Sequence, residues 1–422
     1  MIGIMRREVL LWVGLVVGLA LIQGWLGTAY TLRMLVEASC YALIALGLGI
    51  QWGYGGLFNA GILGFVALGA FATMQFSYPV NAAFWSSEGP AALGGVVWRL
   101  VIGVAVVAAL TQLHRIGCPK RLRTLVVVVS GAVVYLMVTT ALDPAARDIE
   151  NTAGFIGGFG FPAWLGWLAG GLAAGVIAYF IGRICLGLRS DYLAIATLGI
   201  AEIIKAFLKN ADWLTRGTLT VSPLPWPVPT PDEIGFVYAR AGYLCLTAAM
   251  VVMVYVLLER AYRAPWGRMM RAIRDNEVAA AAMGKDVNRR RLEIFVFGAI
   301  LMGIGGGALT TFVRIFDPAG FLPLNHTFLI WVMVILGGSG NNRGTVFGAL
   351  FVYIIWTLSE PAALQVFDLL RQYGEAWLGW TAPADLESRA LQMRVFVIGL
   401  TITLVLRFAP RGMIPERIGH HS

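Results

Sequence analysis

The chain has 422 residues, of which 58% are hydrophobic and only 13% are charged, and its mean hydropathy is +0.75. Water-soluble domains carry about a quarter charged residues, so this composition excludes a water-soluble globule of this size. The basic residues behind the net charge of +9 lie between apolar runs. This placement favours a membrane-topology signal over binding to nucleic acid.

Twelve apolar segments follow one another along the chain, and each is a candidate membrane-spanning helix because about 20 apolar residues cross a bilayer. They are Val9–Gly27, Leu32–Ile50, Gly56–Phe76, Ala91–Leu113, Thr124–Leu142, Pro162–Arg183, Leu193–Leu208, Phe236–Leu258, Leu292–Val313, Phe328–Gly337, Thr345–Leu358 and Leu391–Arg407. The short segments that begin at Leu193, Phe328 and Thr345 suit half-helices or re-entrant elements buried within the protein. The sequence therefore predicts an all-α, polytopic transmembrane helical bundle of about 10–12 membrane segments, with residues 1–422 as a single domain.

The basic residues are distributed unevenly among the loops. His114–Arg123 contains four lysines or arginines, Arg260–Arg291 contains nine, and the last residues of the chain add two more. Ser77–Pro90 and Val221–Pro231 contain none. Because positively charged loops stay in the cytoplasm, we expect both termini and both basic loops on that side.

Glycine pairs spaced four residues apart recur within the apolar segments. They are Gly166/Gly170, Gly171/Gly175, Gly303/Gly307 and Gly344/Gly348. In lipid, small residues let helix backbones approach closely, so these pairs predict a tightly packed bundle. The run Gly303–Ala308 also matches a dinucleotide-binding fingerprint, but it lies within an apolar helix without a preceding strand, which favours helix packing. We therefore expect no bound dinucleotide at this run. We likewise expect no other cofactor, no metal site and no catalytic residues in this chain.

The most informative loop is the longest basic one, at residues 259–291. Pro265 can begin a helix and Gly284 can end one, so we predict an amphipathic helix between them. The residues predicted on its apolar face are Met269, Ile273, Ala280 and Met283, and those on its polar face are Arg271, Arg274 and Asp275. Such a helix either lies on anionic lipid or docks into a groove of a soluble partner.

Ala279, Ala280 and Gly284 are spaced as in the pattern Glu-Ala-Ala, three residues, Gly, whereas Glu277 lies one place too early and Val278 takes its position. The loop thereby resembles the coupling loop of ABC importer permeases.

Several further stretches carry a wider resemblance. They are Tyr54–Gly61, Leu188–Gly199 with Glu202, Trp266–Glu277, Ala282–Gly284, Gly303–Gly307 and Leu336–Gly344. In this order they resemble the permeases of branched-chain amino-acid ABC importers, the LivH/LivM family. The run Arg-Ala-Ile-Arg-Asp-Asn-Glu, which ends at Glu277, resembles the M-type subunit.

The resemblance implies an inner-membrane permease subunit that translocates branched-chain amino acids and leaves ATP hydrolysis to other chains. The partners implied are a second, homologous permease subunit, two cytoplasmic ATPase subunits, a periplasmic substrate-binding protein and membrane lipid, without nucleic acid. Closure of the ATPases on ATP would push on the loop helix and switch the permease between outward and inward openings. The residues assigned to this coupling are Arg268, Arg271, Arg274, Asp275, Asn276, Glu277, Ala279, Ala280 and Gly284.

Polar residues within the apolar segments are candidates for the translocation path. We assign to it Asn59, Glu202, Gly338 and Asn341. The glycine-rich turn around Gly338 suits broken helices near the middle of a transporter. A charge at a helix centre in the bilayer costs about 2.5–3.5 kcal/mol. The alternative role for Glu202 is therefore an ion pair with Lys205, three residues further on the same helix face.

Other function classes remain open from the sequence. A stand-alone, ion-coupled secondary transporter needs internal carboxylates, and only Glu37 and Glu202 are suitably placed. A membrane enzyme needs clustered His, Asp or Glu at the membrane interface, and the sequence has no such cluster. Within the importer class, urea, amides and other amino acids are alternative substrates.

Overall fold

The computed structural model describes residues 2–112, 119–378 and 386–416. Residues 113–118 of the first basic loop and Arg417 therefore lie outside the described residues. In the described ranges, helices are joined by loops that form two isolated β-bridges, between Val80 and Gly157 and between Val221 and Phe316. The helices are α1 (Ile2–Leu26), α2 (Thr28–Leu48), α3 (Ile62–Ser77), α4 (Ala82–Trp85), α5 (Gly89–Thr111), α6 (Lys120–Thr152), α7 (Ala163–Cys185), α8 (Ser190–Asn210), α9 (Asp212–Thr215), α10 (Pro231–Ile234), α11 (Phe236–Arg263), α12 (Pro265–Asp275), α13 (Glu277–Ala282), α14 (Val287–Val313), α15 (Leu329–Gly337), α16 (Asn342–Leu378) and α17 (Leu386–Phe408).

The prediction of an all-α membrane bundle is confirmed. Among the described residues, nine helices are long and apolar enough to cross a membrane, namely α1, α2 with its π-helical extension Gly49–Tyr54, α5, α6, α7, α11, α14, α16 and α17. Two shorter apolar helices are α3 and the segment Leu324–Gly337, which includes α15. Helix α8 is 21 residues long but carries charged side chains along its length. Each of the twelve predicted segments corresponds to one of these helices, but the prediction of a short element at Thr345 is wrong, because α16 is 37 residues long and continues to Leu378.

The core of the bundle is built around the glycine-rich helix α14. A Cβ atom at Gly69 of α3 would lie only 2.1 Å from the carbonyl oxygen of Gly303, so only glycine fits this contact. Gly303 also approaches Gly170 of α7, and Gly305 approaches Ile44 of α2. The predicted use of the glycine pairs for close helix packing is therefore confirmed, because without a side chain the backbones themselves come into contact.

Four helices form the periphery and expose most of their apolar surface. In the span windows of α1, α5, α6 and α17, at most 11% of the residues are buried. The hairpin of α5 and α6 is held together where Gly103 meets Val134. Such an apolar exterior is stable only where lipid replaces water, so the protein is an integral membrane protein.

The described residues near both ends of the chain, Glu8 and Glu416, lie on the same face as the long basic loop. Arg343, at the start of α16, lies 3.8 Å from Glu8 of α1. Glu416, near the end of the chain, binds Arg274 of the loop. Between two residues on one face the chain crosses the bundle an even number of times, as the twelve predicted segments provide.

Candidate functional site

The long basic loop contains two helices instead of the single predicted one. Helices α12 and α13 are separated by Asn276, whose extended backbone (φ −156°, ψ 101°) breaks the helical path. The Asn276 side chain accepts a hydrogen bond from the backbone N–H of Ala279 at 3.0 Å and so caps α13. The prediction of a continuous helix from Pro265 to Gly284 is wrong because asparagine can replace helical hydrogen bonds with its own side chain.

The break redirects the side chains that follow it. Ile273 and Ala280 are buried as predicted, and Met269 is half-buried. Met283 is 79% exposed, so its predicted place on the buried face is wrong. The exposed, apolar side chains of α13 and its end form a surface that we name the apolar tip (Val278, Ala281, Ala282 and Met283).

The apolar tip is held in place at both ends of α13. Glu277, the first residue of α13, lies 2.6 Å from Nη2 of Arg291 in α14. Beyond α13, Gly284 has a φ of +74°, which favours glycine, and it turns the chain towards α14. The remaining coupling residues differ in exposure, since Arg268, Asp275 and Ala279 are exposed whereas Arg271 is half-buried.

Arg274 is the most highly connected side chain of the loop. Its Nη1 donates to the carbonyl oxygen of Gly53 at 2.6 Å and to Oε2 of Glu416 at 3.1 Å, and its Nε donates to Asp275 at 3.3 Å. Only 25% of its side chain is exposed, because this arginine of the predicted polar face is covered by the end of α2 and by Glu416. Burial alone would lower the pKa of Arg274, but the hydrogen bonds and charges of Glu416 and Asp275 raise it overall.

The last described residues cross the end of α15 as an extended segment, the C-terminal strap (Gly412–Glu416). The backbone N–H of Met413 donates to Leu336 O at 2.8 Å, and that of Ile414 donates to Gly337 O at 3.0 Å. These bonds satisfy carbonyl groups that the helix end leaves free. The strap thereby links the end of α15 to Arg274 through Glu416.

Two of the residues assigned to the path lie beneath this strap. Asn341 donates through Nδ2 to the carbonyl oxygens of Ile414 and Pro415, at 3.1 and 3.2 Å. A Cβ atom at Gly338 would lie 2.4 Å from Ile414 O, and Gly338 has a φ of +116°, so the turn requires glycine there. The structure places both residues at the face of the basic loop, and their contribution to a path stays a prediction.

Asn59 is a fully buried residue in the segment between α2 and α3. Its Nδ2 donates to Oε1 of Gln51 at 2.7 Å, and its Oδ1 accepts from the N–H of Gly61 at 2.8 Å. Its carbonyl oxygen accepts from the indole N–H of Trp331 at 3.0 Å. Asn59 thus joins this segment to α15, which gives it a structural role whether or not it also lines a path.

Glu202 lies on the exposed side of α8. The salt bridges and hydrogen bonds among the described residues do not include one between Glu202 and Lys205, so the predicted pair is wrong. The four residues assigned to the path therefore occupy separate places in the core, on α8 and under the strap, and the structure does not bring them together.

Sequence reasoning missed Gly53 and Glu416. The only signal for Glu416 is that it is an acidic residue in a basic tail, between Arg411 and Arg417. Gly53 takes part through its backbone carbonyl, which no side-chain pattern could indicate.

The chain is similar to known transport proteins over most of its length. The family described as "Branched-chain amino acid transport system / permease component" matches residues 30–112 and 125–406. A relative from Methanocaldococcus jannaschii, named as a probable branched-chain amino acid transport permease protein LivM, is 26% identical over 254 residues, which are 58% of this chain and 67% of the relative.

Of two further relatives, one is again named for branched-chain amino acids and the other is named for fructose. The high-affinity branched-chain amino acid transport system permease protein LivM of Escherichia coli is 27% identical over 46% of this chain and 51% of its own, so this match spans about half of that relative. The fructose import permease protein FrcC of Rhizobium meliloti is 25% identical over 53% of this chain and 65% of its own. No solved structure matches the chain. The family match covers well over half of the residues, and the chain therefore belongs to the permease components of branched-chain amino acid transport systems.

Proposed function

We propose that this chain is the transmembrane permease subunit of an ATP-driven importer of branched-chain amino acids. Its substrate would be delivered by a periplasmic binding protein, and ATP would be hydrolysed by two cytoplasmic ATPase subunits. The family and the names of two of the relatives support the substrate class. A second, homologous permease subunit would complete the membrane part of the complex.

The observation that carries the proposal is the connection of an exposed apolar tip to the core helices. Val278 on α13 and Met283 directly after this helix are each 79% exposed, and such a surface suits insertion into a groove of a soluble partner. From α13, the adjoining helix α12 leads to Arg274, which contacts both the end of α2 and the strap. Movement of a docked ATPase would thereby reach α2, α15 and α16.

The same geometry supports a bacterial inner-membrane location with both termini in the cytoplasm. Glu8 and Glu416, near the two ends of the chain, lie on the face of the basic loop, and positively charged loops remain on the cytoplasmic side. The ATPases are soluble subunits of that compartment, so the face with the apolar tip is the one available to them.

A secondary transporter driven by an ion gradient fits the structure less well. Its two candidate carboxylates do not form an ion site together. Glu37 is buried in contact with Arg33 and Tyr353, whereas Glu202 lies on an exposed helix face. A bare ion site needs several oxygen ligands facing one another. Urea, amides and other amino acids are alternative substrates within the importer class, and the relative named for fructose is similar to this chain although its named substrate is a sugar.

The test is purification of the tagged chain after expression with its ATPases, followed by uptake of radiolabelled leucine into proteoliposomes. We expect the ATPases to copurify and uptake to require ATP and the binding protein. Reversing the charges of Arg271 and Glu277 (Arg271→Glu, Glu277→Arg) should release the ATPases. Arg371→Glu, which changes an exposed arginine of α16, is the control and should not. Uptake driven by an ion gradient without ATP would instead support the secondary transporter.

A further inference from the structure

A cavity of about 410 Å³ opens between α2, α16 and α17. It lies far from the coupling face, because its residue Glu37 precedes Gly53 by 16 positions, which is about 24 Å along a helix. Small-molecule sites have volumes of about 300–1,000 Å³, so this cavity is large enough for a small ligand.

Three helices contribute charged and aromatic side chains to the cavity. Arg33 and Glu37 come from α2, and Arg394 comes from α17. Tyr353, Trp356 and Glu360 come from α16, where spacings of three and four residues place them on one face of the helix. The two arginines and two glutamates balance in charge, so the cavity is neutral overall but strongly polar.

The ion pair on α2 consists of the buried Glu37 and the accessible Arg33. Nε of Arg33 lies 3.1 Å from Oε1 of Glu37, and the Glu37 side chain is 9% exposed whereas that of Arg33 is 58% exposed. The hydroxyl of Tyr353 donates to the other oxygen of Glu37. Glu37 thus holds Arg33 in position, and among the described residues the terminal nitrogens of Arg33 make no hydrogen bond.

The second pair adds an aromatic wall. Arg394 forms an ion pair with Glu360, and the Glu360 side chain remains 40% exposed. The guanidinium of Arg394 stacks 5.0 Å from the ring centre of Trp356. Its Nε is buried without a hydrogen-bond partner, and a buried donor of this kind is costly unless it is satisfied.

We infer that this cavity binds a small zwitterion. Its carboxylate or phosphate would accept hydrogen bonds from Arg33 and Arg394, its ammonium group would bind Glu360, and its apolar part would lie on Trp356. A ligand with a single charge would add a net charge to a neutral cavity that contains the buried Glu37 side chain, which is only 9% exposed, and an uncompensated charge beside a buried group is costly. Both a free α-amino acid and the head group of an ethanolamine phospholipid have this chemistry, and the choice of the amino acid rests on the proposed function.

The experiment measures bound ligand on the full-length chain in lipid nanodiscs without ATPases. Equilibrium binding of radiolabelled L-leucine is followed, and copurified phospholipids are identified by mass spectrometry. Arg33→Gln and Arg394→Gln should each weaken ligand binding by about tenfold or more, because each removes a charge-assisted hydrogen bond to the anionic group of the ligand. Glu360→Gln removes the carboxylate that is proposed to bind the ammonium group of the ligand. Arg99→Gln, on α5 outside the cavity, is the matched control.

Saturable leucine binding that isovalerate and isoamylamine do not displace, and that the cavity variants weaken, would support an amino-acid site. Loss of copurified ethanolamine phospholipid in the same variants, without leucine binding, would support the zwitterion site with lipid as its ligand. If the variants lower only thermal stability and leave both ligands unaffected, the charge pairs are purely structural and the inference is overturned. ATP-driven uptake is measured separately, so its failure with intact binding would contradict the proposed function alone.

Discussion

Arg274 and Glu416 connect the long basic loop to the end of the chain, with Nη1 of the arginine 3.1 Å from Oε2 of the glutamate. The same nitrogen donates to the carbonyl oxygen of Gly53 at the end of α2. Because Glu416 belongs to the C-terminal strap, one guanidinium group joins α12 to α2 and to the end of α15. We therefore expect a displacement of α12 to be transmitted to several core helices.

The first prediction concerns this contact. We expect Glu416→Gln to lower the free energy of unfolding by only about 1 kcal/mol, since the pair is partly exposed to solvent. Transport per ATP hydrolysed should fall more strongly, because the strap would no longer follow α12. The ratio of leucine uptake to phosphate release in proteoliposomes measures this effect.

The control for Glu416→Gln is Asp368→Asn, which weakens an exposed pair with Arg371 on α16. Its ratio of uptake to phosphate release should match that of the native protein. An unchanged ratio in Glu416→Gln would contradict a role for the strap in coupling.

The second prediction concerns the apolar tip. Val278→Ser and Met283→Ser should reduce copurification of the ATPases and leave the melting temperature unchanged, because both side chains are 79% exposed in the isolated chain. Leu188→Ser, at an exposed position between α7 and α8, is the control for removal of an apolar surface residue. Equal retention of the ATPases by all three variants would exclude the tip as the docking surface.

The third prediction concerns the break between α12 and α13. Asn276→Ala removes the cap of α13 and should cost about 1 kcal/mol of local stability. Hydrogen exchange at the backbone amides of α13 should become faster. Asn276→Asp keeps an acceptor for the N–H of Ala279 and should restore slow exchange, whereas equal exchange in both variants would show that the cap is unimportant.

The fourth prediction concerns the close contact of α3 and α14. A methyl group at Gly69 would meet the backbone of Gly303, so Gly69→Ala should destabilise the protein by about 1–3 kcal/mol. Thermal unfolding in detergent gives the measurement. Gly199→Ala, where no atom lies within 4 Å of the added carbon, should leave the melting temperature unchanged or slightly raised. Equal melting temperatures for both variants would contradict tight packing at this point.

The sequence by itself determined the membrane class, the twelve helical segments and the close helix packing at the glycine pairs. It also determined where along the chain the long basic loop lies. These properties are local, because hydropathy, charge and small-residue spacing act within one segment. The sequence did not predict the break between α12 and α13. Asn276 was assigned to the coupling residues, but its side chain caps α13.

Only the tertiary structure decided which distant residues meet. Arg274 and Glu416 are 142 positions apart, and Glu37 and Tyr353 are 316 apart. The pairing of Gly338 and Asn341 with the strap likewise depends on where α17 ends, and not on the turn's own sequence. A contact between remote segments depends on how all the intervening helices pack, and a pattern within one segment holds no information about that packing.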